Sequence, residues 1–243
     1  MYRAAQPSPE LAPWVSSTWE EKVTTGSHED GVHPDGAIDI VWDGAELVVF
    51  GPRTRSEAAR ELRSSTLVGV RLRPGSTQAV LGEAALALAD RTLPLETLWG
   101  NRARASTLRL QAAEPEHSMA ALCSVLIEHL RTGAHEPDRL ISHVVELAGS
   151  GRTVRDIAND VGLSERQLFR RCVDEIGYGP KHLVRVLRLQ QLLGLARRLS
   201  KASLASLAAA AGYADQSHMS RECRALTGVT PARLVRSQRH LAP

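Results

Sequence analysis

The feature that most constrains the fold is an internal repeat in the last hundred residues of the chain. Residues 154–180 and 204–231 share one pattern: an amphipathic helix that ends at a glycine, a helix N-cap, a second helix that ends at a glycine, and a proline. When the copies are aligned on their prolines, Cys172 falls opposite Cys223. Two such copies predict two successive units of one supersecondary structure.

Each unit is predicted to be a helix-turn-helix. A glycine at the tight corner, Gly162 or Gly212, lets two helices cross steeply, so that the first helix supports the second. The first helix must be small and apolar on its inner face, and the second must bury one stripe. The predicted inner faces consist of Ile157, Ala158, Val161, Leu207, Ala208 and Ala211, and the predicted stripes of Leu168, Cys172, Ile176, Met219, Cys223 and Leu226.

The opposite face of each second helix is polar and mostly basic. Arginine can donate two hydrogen bonds to guanine, glutamine can pair with adenine, and serine adapts to bases or to phosphate. An ordinary solvated surface is the alternative, but two matching copies favour the major groove of double-stranded DNA. These side chains are Arg166, Gln167, Arg170 and Arg171 in the first unit, and Gln216, Ser217, Ser220, Arg221 and Arg224 in the second.

A single helix over residues 181–200 is predicted to join the units. It has a Leu- and Val-rich face, although Gly194 weakens a helix by up to about 1 kcal/mol relative to alanine. A rigid connector would hold the two recognition helices at a fixed separation, and successive major-groove faces lie about 34 Å apart. One chain is therefore expected to read two adjacent groove segments.

The two halves of the chain differ in charge. Residues 138–243 hold 17 Lys and Arg against 9 Asp and Glu, whereas residues 1–137 hold 13 against 18. An acidic front joined to a basic back is typical of a sensing or assembly domain followed by a polyanion-binding domain, with chance clustering as the alternative. The predicted domains are residues 1–133 and 138–243, separated by a short linker, with the two units at about 138–180 and 200–236.

The front half is predicted to begin with strands and turns and to become helical from Thr77. Apolar runs at residues 38–42 and 47–50 flank a short polar turn, which is a hairpin signal, and residues 67–72 form a third candidate strand. Residues 79–90 and 105–113 have helical patterns. A further helix, Ser118–Arg131, is a candidate dimerisation element or packs back on its own domain.

Effector binding is assigned to polar and aromatic residues of the front half, namely His33, Asp35, Asp39 and Trp42. His28, His33, Asp35 and Asp39 also cluster in the sequence, and their side chains are of the types that bind metal ions. The spacing fits no metal template, and a turn rich in Asp and Gly explains it, so no metal and no cofactor are predicted. The tryptophans line a pocket or belong to the core, and the core is favoured; they are Trp14, Trp19, Trp42 and Trp99.

Cysteine usage and missing motifs restrict the function further. Cys123, Cys172 and Cys223 have unrelated spacings, which argues against a disulfide framework and a four-cysteine zinc site. The chain has no P-loop, no GxGxxG and no GxSxG motif, so no enzymatic activity is expected. A membrane-spanning run and a signal-peptide pattern are also missing, which favours a cytoplasmic, nucleoid-associated protein.

The second unit resembles the AraC/XylS family of bacterial transcription regulators. Its sequence GYADQSHMSRECRALTGVTP has the family's Gly-aromatic, Asp, Ser-His, Ser-Arg and Gly-x-x-Pro pattern, and Arg188 lies where the family usually has an arginine. The resemblance covers about residues 138–240; Cys172, Cys223 and Met219 depart from it by replacing phenylalanine. The front half resembles the small β-rich sensor domains of actinobacterial-type members through HPDGAIDIVWDG, GPRTR, GVRLRPG and LETLWG.

The resemblance implies an α+β fold, with a small β-rich, cupin-like N-terminal domain that also has helices and an all-α C-terminal domain. It implies a transcription regulator that binds double-stranded DNA, with a small-molecule effector, a second copy of the chain and RNA polymerase as further partners. It assigns base contacts to Arg166, Phe169, Arg170, Gln216, Ser217, Ser220 and Arg221, and phosphate or supporting roles to Gln167, Arg171, His218 and Arg224. Phe169 either contacts a thymine methyl group or packs against a neighbouring helix.

Two other functions fit parts of the sequence. A DNA-alkylation repair protein can use the same DNA-binding module, but it requires a reactive thiolate, and all three cysteines lie in apolar helical patterns. An adaptor that binds protein through its helical half would show weak salt dependence, whereas a regulator that contacts several phosphates loses affinity steeply as salt rises.

Overall fold

A computed structural model describes residues 2–22, 32–57, 66–133 and 135–240. The described front half has six strands and five α-helices, and a 3-10 turn at Pro115–His117. The strands are β1 (Tyr2–Ala5), β2 (Val15–Lys22), β3 (Asp39–Trp42), β4 (Leu47–Phe50), β5 (Thr66–Leu72) and β6 (Thr92–Pro94). The helices are α1 (Thr77–Leu81), α2 (Ala85–Leu88), α3 (Glu96–Trp99), α4 (Asn101–Gln111) and α5 (Ser118–Arg131).

The six strands form one antiparallel sheet in the order β1-β2-β5-β3-β4-β6. The predicted hairpin is confirmed as β3 and β4, and the Asp43 carboxylate closes its turn by accepting bonds from the N–H groups of Ala45 and Glu46 at 3.0 and 2.9 Å. The predicted third strand is confirmed as β5. The sequence pattern singles out neither β1 nor β2, because β1 is exposed throughout and β2 is rich in Ser, Thr and Glu.

One face of the sheet packs under the helices and forms the main core of the front half. Ile40 and Val70 from the sheet belong to the same buried cluster as Leu122 and Leu126 from α5. Burying each such side chain contributes about 1.5–3 kcal/mol. Of the two roles predicted for the helix Ser118–Arg131, packing on its own domain is therefore the one observed. The opposite face of the sheet carries a smaller cluster around Trp19.

The described residues 135–240 form seven helices and no strand, in agreement with the expected all-α domain. The connecting helix is confirmed, and it crosses Gly194 without a break. Its 19 residues span about 28 Å at 1.5 Å per residue, and its buried leucines join both units into one core. The helices are α6 (Arg139–Gly149), α7 (Val154–Asp160), α8 (Glu165–Ile176), α9 (Pro180–Arg198), α10 (Leu204–Ala210), α11 (Gln216–Thr227) and α12 (Pro231–His240).

Candidate nucleic-acid interface

The first recognition helix, α8, begins and ends at residues with specific backbone roles. Ser164 Oγ accepts a hydrogen bond from the N–H of Gln167, and Gln167 Oε1 accepts one from the N–H of Ser164 at 2.9 Å. This capping box satisfies two donors that a helix start leaves unpaired. At the other end Gly177 has a φ of 91°, and its N–H bonds to the carbonyl of Val173. The N-cap and the terminal glycine that the repeat pattern predicts for the second helix are therefore Ser164 and Gly177.

The second recognition helix, α11, is delimited in the same way. Asp215 Oδ1 accepts a bond from the N–H of His218 at 2.6 Å, and Gly228 ends the helix with a φ of 74°. The predicted corner glycines, Gly162 and Gly212, have φ of 68° and 78°, a region that other residues rarely adopt. The two units therefore turn by the same local chemistry.

Each recognition helix buries the predicted stripe. The six stripe residues have at most 3% of their surface exposed, because each lies in the core shared with α9. The supporting helices α7 and α10 bury Ile157 and Leu207 completely, whereas Val161 is only partly buried. Cys172 and Cys223 are accommodated in this core with no exposed surface.

The predicted DNA-contacting side chains line the outer faces of α8 and α11. Nine of the eleven are exposed, and His218 and Ser220 are half-buried. The exposed side chains are Arg166, Gln167, Phe169, Arg170 and Arg171 on α8, and Gln216, Ser217, Arg221 and Arg224 on α11. Each helix thus presents a polar, mostly basic face to solvent.

Four of these side chains also contact the protein. Gln167 completes the capping box, Arg171 Nη1 lies 3.1 Å from Asp138 Oδ2, and His218 Nδ1 accepts a bond from the N–H of Ala214 at 3.3 Å. Phe169 is 54% exposed, and its ring lies against Gly179, where an added methyl group would come within 2.5 Å of the ring. Phe169 therefore packs on the start of α9 and still offers half of its surface to a ligand.

Comparisons with known proteins agree with this geometry. Residues 142–237 match a family described as a helix-turn-helix domain. Over this range the chain has a helix-turn-helix domain of the AraC type. A domain of this type makes the chain a DNA-binding transcription regulator. The front half matches, over residues 3–94, a family described as a domain of unknown function (DUF6597).

Solved structures to which the chain is similar include two of ToxT. ToxT from Vibrio cholerae O395 is 11% identical, with 83% of this chain and 85% of that chain covered and a TM-score of 0.44. Unsaturated fatty acid bound wild-type ToxT from Vibrio cholerae strain SCE256 is 12% identical, with 85% of each chain covered and a TM-score of 0.45. No curated protein matches the chain.

The front half of the regulator docks on the first unit. Thr77, at the start of α1, donates two bonds to Glu175: its N–H to Oε2 at 3.2 Å and its hydroxyl to the carbonyl at 2.8 Å. Burial raises the pKa of the Glu175 carboxyl. Gly177 lies against Pro52, and a methyl group there would come within 2.5 Å of the proline ring and 3.0 Å of the Ala85 carbonyl. The C-terminal end of α8 is therefore in close contact with the front half.

A segment after β4, residues 51–57, reaches both units. The Thr54 carbonyl lies 3.1 Å from His182 Nε2 at the start of α9, and the N–H of Ser56 donates to the Leu226 carbonyl on α11 at 2.7 Å. We name this segment the bridging segment. The loop before β3 adds a bond at 2.7 Å from Gln190 on α9 to the Pro34 carbonyl.

The predicted effector residues divide between two faces of the sheet. Arg71 on β5 draws Asp35 and Asp39 together: its Nη2 lies 2.9 Å from Asp35, and its Nε donates to Asp39 at 3.0 Å. Burial lowers the pKa of Arg71, but the two carboxylates outweigh this effect and raise it. Trp19 Nε1 also donates to Asp39, at 3.1 Å. Trp42 belongs to the core on the other face, since side chains alternate along β3.

His33 Nδ1 lies 2.7 Å from the hydroxyl of Ser56. His28 lies outside the described residues, within which no group of three or more His, Cys, Asp and Glu side chains is arranged to hold a metal ion. Arg71 is the residue that the sequence patterns do not single out. The alternation of side chains along β5 could have identified it, because Arg71 lies between two buried apolar residues and therefore points to the opposite face of the sheet.

The cysteines are placed as structural residues. Burial raises the pKa of Cys172 to about 12 and that of Cys223 to about 11, and it also raises the pKa of the half-buried Cys123. The reactive thiolate form is therefore disfavoured at all three. The other predicted core residues also pack as expected: Trp19 and Trp42 are buried, while Trp14 and Trp99 pack partly buried against the core. No described helix is long and apolar enough to cross a bilayer.

Proposed function

We propose that one chain of this regulator reads two adjacent major-groove segments, one with α8 and one with α11. The carrying observation is that two helices with the same caps and buried stripes present exposed basic faces and are joined by one unbroken helix. The base contacts come from Arg166, Phe169 and Arg170 in the first unit and from Gln216, Ser217, Ser220 and Arg221 in the second. Gln167, Arg171, His218 and Arg224 support the helices or contact phosphate.

The front half, as domain 1–133, sets the arrangement of the two units in domain 138–243. The bridging segment supports this proposal because it bonds to α9 through Thr54 and to α11 through Ser56. A ligand changes such an arrangement only by binding one state more tightly than another. A small-molecule effector near Asp35 and Asp39, or a second copy of the chain on the front half, binds one arrangement more tightly than the other. RNA polymerase then contacts the regulator in the favoured arrangement.

Selection of bound sites from random DNA tests the proposal. We expect two different half-motifs about one helical turn, or roughly 10 base pairs, apart, since the two recognition faces differ in sequence. Affinity for the selected duplex should fall steeply with salt, with a slope of about −0.9 for each phosphate contacted. An absence of enrichment, or a flat salt dependence, would contradict DNA reading and favour an adaptor that binds protein.

Alkyl-transfer repair makes a different prediction on the same protein. Methylated DNA and a zinc assay, followed by mass spectrometry of the three cysteines, separate the two functions. We expect no selective alkylation, because burial disfavours each thiolate. Stoichiometric zinc or a selectively alkylated Cys123 would replace the proposal with repair.

A further inference from the structure

Glu222 lies on α11 toward the connecting helix and faces three nitrogen-bearing side chains. Its carboxylate oxygens lie 3.0 Å from Arg188 Nη1, 3.4 Å from Arg185 Nε and 3.3 Å from His218 Nε2. Only 13% of the Glu222 side chain is exposed. Pairs at this depth differ from surface pairs, because removing one partner leaves a poorly solvated charge behind.

Arg188 ties a second part of the same unit to the connecting helix. Its guanidinium lies 5.3 Å from the ring centroid of Tyr213, the residue that follows the corner glycine. Tyr213 in turn meets His218 edge-on at 5.5 Å. One arginine of α9 therefore contacts both the corner of the second unit and, through Glu222, its recognition helix.

The residue equivalent to Glu222 in the first unit has a different charge and a different partner. Aligned on the stripe cysteines, Glu222 corresponds to Arg171, since each precedes its cysteine by one residue. Arg171 pairs with Asp138 at the start of α6, and its side chain is 45% exposed. The same helix position thus carries opposite charges and is paired to different elements in the two units.

We infer that Glu222 is a positioning residue, which holds α11 at the angle to α9 at which Gln216, Ser217 and Arg221 meet the groove, without contacting DNA itself. Adjacent residues on a helix point about 100° apart, so Arg221 faces solvent while Glu222 faces α9. The inference rests on the proposed base contacts of α11. It adds that Arg185 and Arg188 serve this carboxylate and are not phosphate ligands.

The substitution Glu222→Gln keeps the size of the side chain and removes its charge. Binding is measured to a duplex that the wild-type protein selects from random DNA, and to two derivatives in which one half-motif is scrambled. We expect about a tenfold loss on the full duplex and loss of base preference in the α11 half-motif, with the α8 half-motif read as before. The control is Glu146→Gln, which neutralises an exposed acid on α6.

A double substitution separates positioning from general stability. If Glu222 acts through Arg188, the variant Glu222→Gln, Arg188→Met should bind only slightly less well than either single variant. Equal losses at both half-motifs that follow a lower Tm would overturn the inference in favour of a purely structural role. Unchanged half-motif preference, or tighter binding to all DNA through the released arginines, would also overturn it. A wild-type protein that selects no site would instead overturn the proposed function, and the inference with it.

Discussion

The two helix-turn-helix units have the same local construction but different attachments. The first recognition helix contacts the front half through Glu175 and Gly177, and Arg171 pairs with Asp138, whose own N–H donates to the Gly75 carbonyl at 2.7 Å. The second recognition helix is held by the ion pairs of Glu222 with the connecting helix.

The difference teaches where a signal from the front half is felt. A change in the sheet or in α1 reaches α8 through packed, hydrogen-bonded contacts. It reaches α11 through the connecting helix and through the bond that Ser56 of the bridging segment donates to Leu226. Packed contacts carry coupling where they have two arrangements. Because α1 and α2 both pack on α8, the first unit is the expected receiver, and the second follows it.

The sharpest test of the comparison uses the matched glycines that end α8 and α11. Both Gly177 and Gly228 have a positive φ, which costs an alanine about 1–2 kcal/mol. At Gly177 the new methyl group would also meet Pro52 at 2.5 Å, whereas nothing lies within 4 Å at Gly228. Gly177→Ala should therefore lower the free energy of unfolding by about 1–3 kcal/mol more than Gly228→Ala, the overpacking cost.

Urea denaturation of both variants measures this difference, with circular dichroism to check that each has folded. Equal losses of unfolding free energy in the two variants would mean that the front half does not pack closely against Gly177, which contradicts the difference in attachment between the two units.

The matched arginines test whether the units are equal in reading DNA. Arg170→Ala and Arg221→Ala should each lose about 1–3 kcal/mol of specific binding, each at its own half-motif, because a bidentate contact to one base is removed. The measurement is binding to the selected duplex and to random duplex, with Arg104→Ala on α4 of the front half as the control. A residue whose loss is equal on both duplexes contacts the backbone and not a base.

Much of the C-terminal half was predictable because its signals are local. N-caps such as Ser164, corner glycines such as Gly162 and the spacing of the buried stripe act within one helical turn, so a repeat makes them visible twice. The strand β2 was missed because its partners lie elsewhere in the chain: it pairs with β1 and β5, and the burial of its Thr18 depends on that pairing.

The site shows the same boundary between local and distant information. Exposed faces follow from periodicity, but Glu222 lies 34 residues from Arg188, and Glu175 lies 98 residues from Thr77. No pattern within one helix reveals such partners. The repeat did contain one clue. Glu222 is acidic on an otherwise basic helix, whereas the equivalent residue of the first unit is Arg171. Such a charge reversal between equivalent positions indicates different surroundings.

The N-cap residues of α8 and α11 test whether the two units share the same local construction. Ser164→Ala and Asp215→Ala each remove the side chain that accepts the bond from the third helical residue, and each should cost about 1 kcal/mol. Hydrogen exchange at the starts of α8 and α11 gives the local effect, and urea denaturation gives the global one. A much larger cost at one cap would show that the units differ in their turns as well as in their attachments.

The smallest expected effect concerns acid, and it belongs to the start of the connecting helix. Burial lowers the pKa of His182 from its ordinary value of 6.5, and its Nε2 lies 3.1 Å from the Thr54 carbonyl. The folded protein therefore resists a proton that the unfolded chain accepts, so the free energy of unfolding is constant well above pH 6.5 and falls as pH drops through 6.5. The repeat has Arg233 at the equivalent position, so the second unit has no histidine there.

The measurement compares wild-type protein with His182→Gln between about pH 7 and pH 5. Burial also lowers the pKa of His129 in the front half, so part of the acid sensitivity should persist in the variant. The part that disappears is the contribution of His182 at the bridging segment. If the two proteins lose stability in parallel, His182 is too open to solvent for its burial to disfavour the proton. The bridging segment would then hold the second unit, through Ser56, more firmly than it holds the connecting helix, through Thr54.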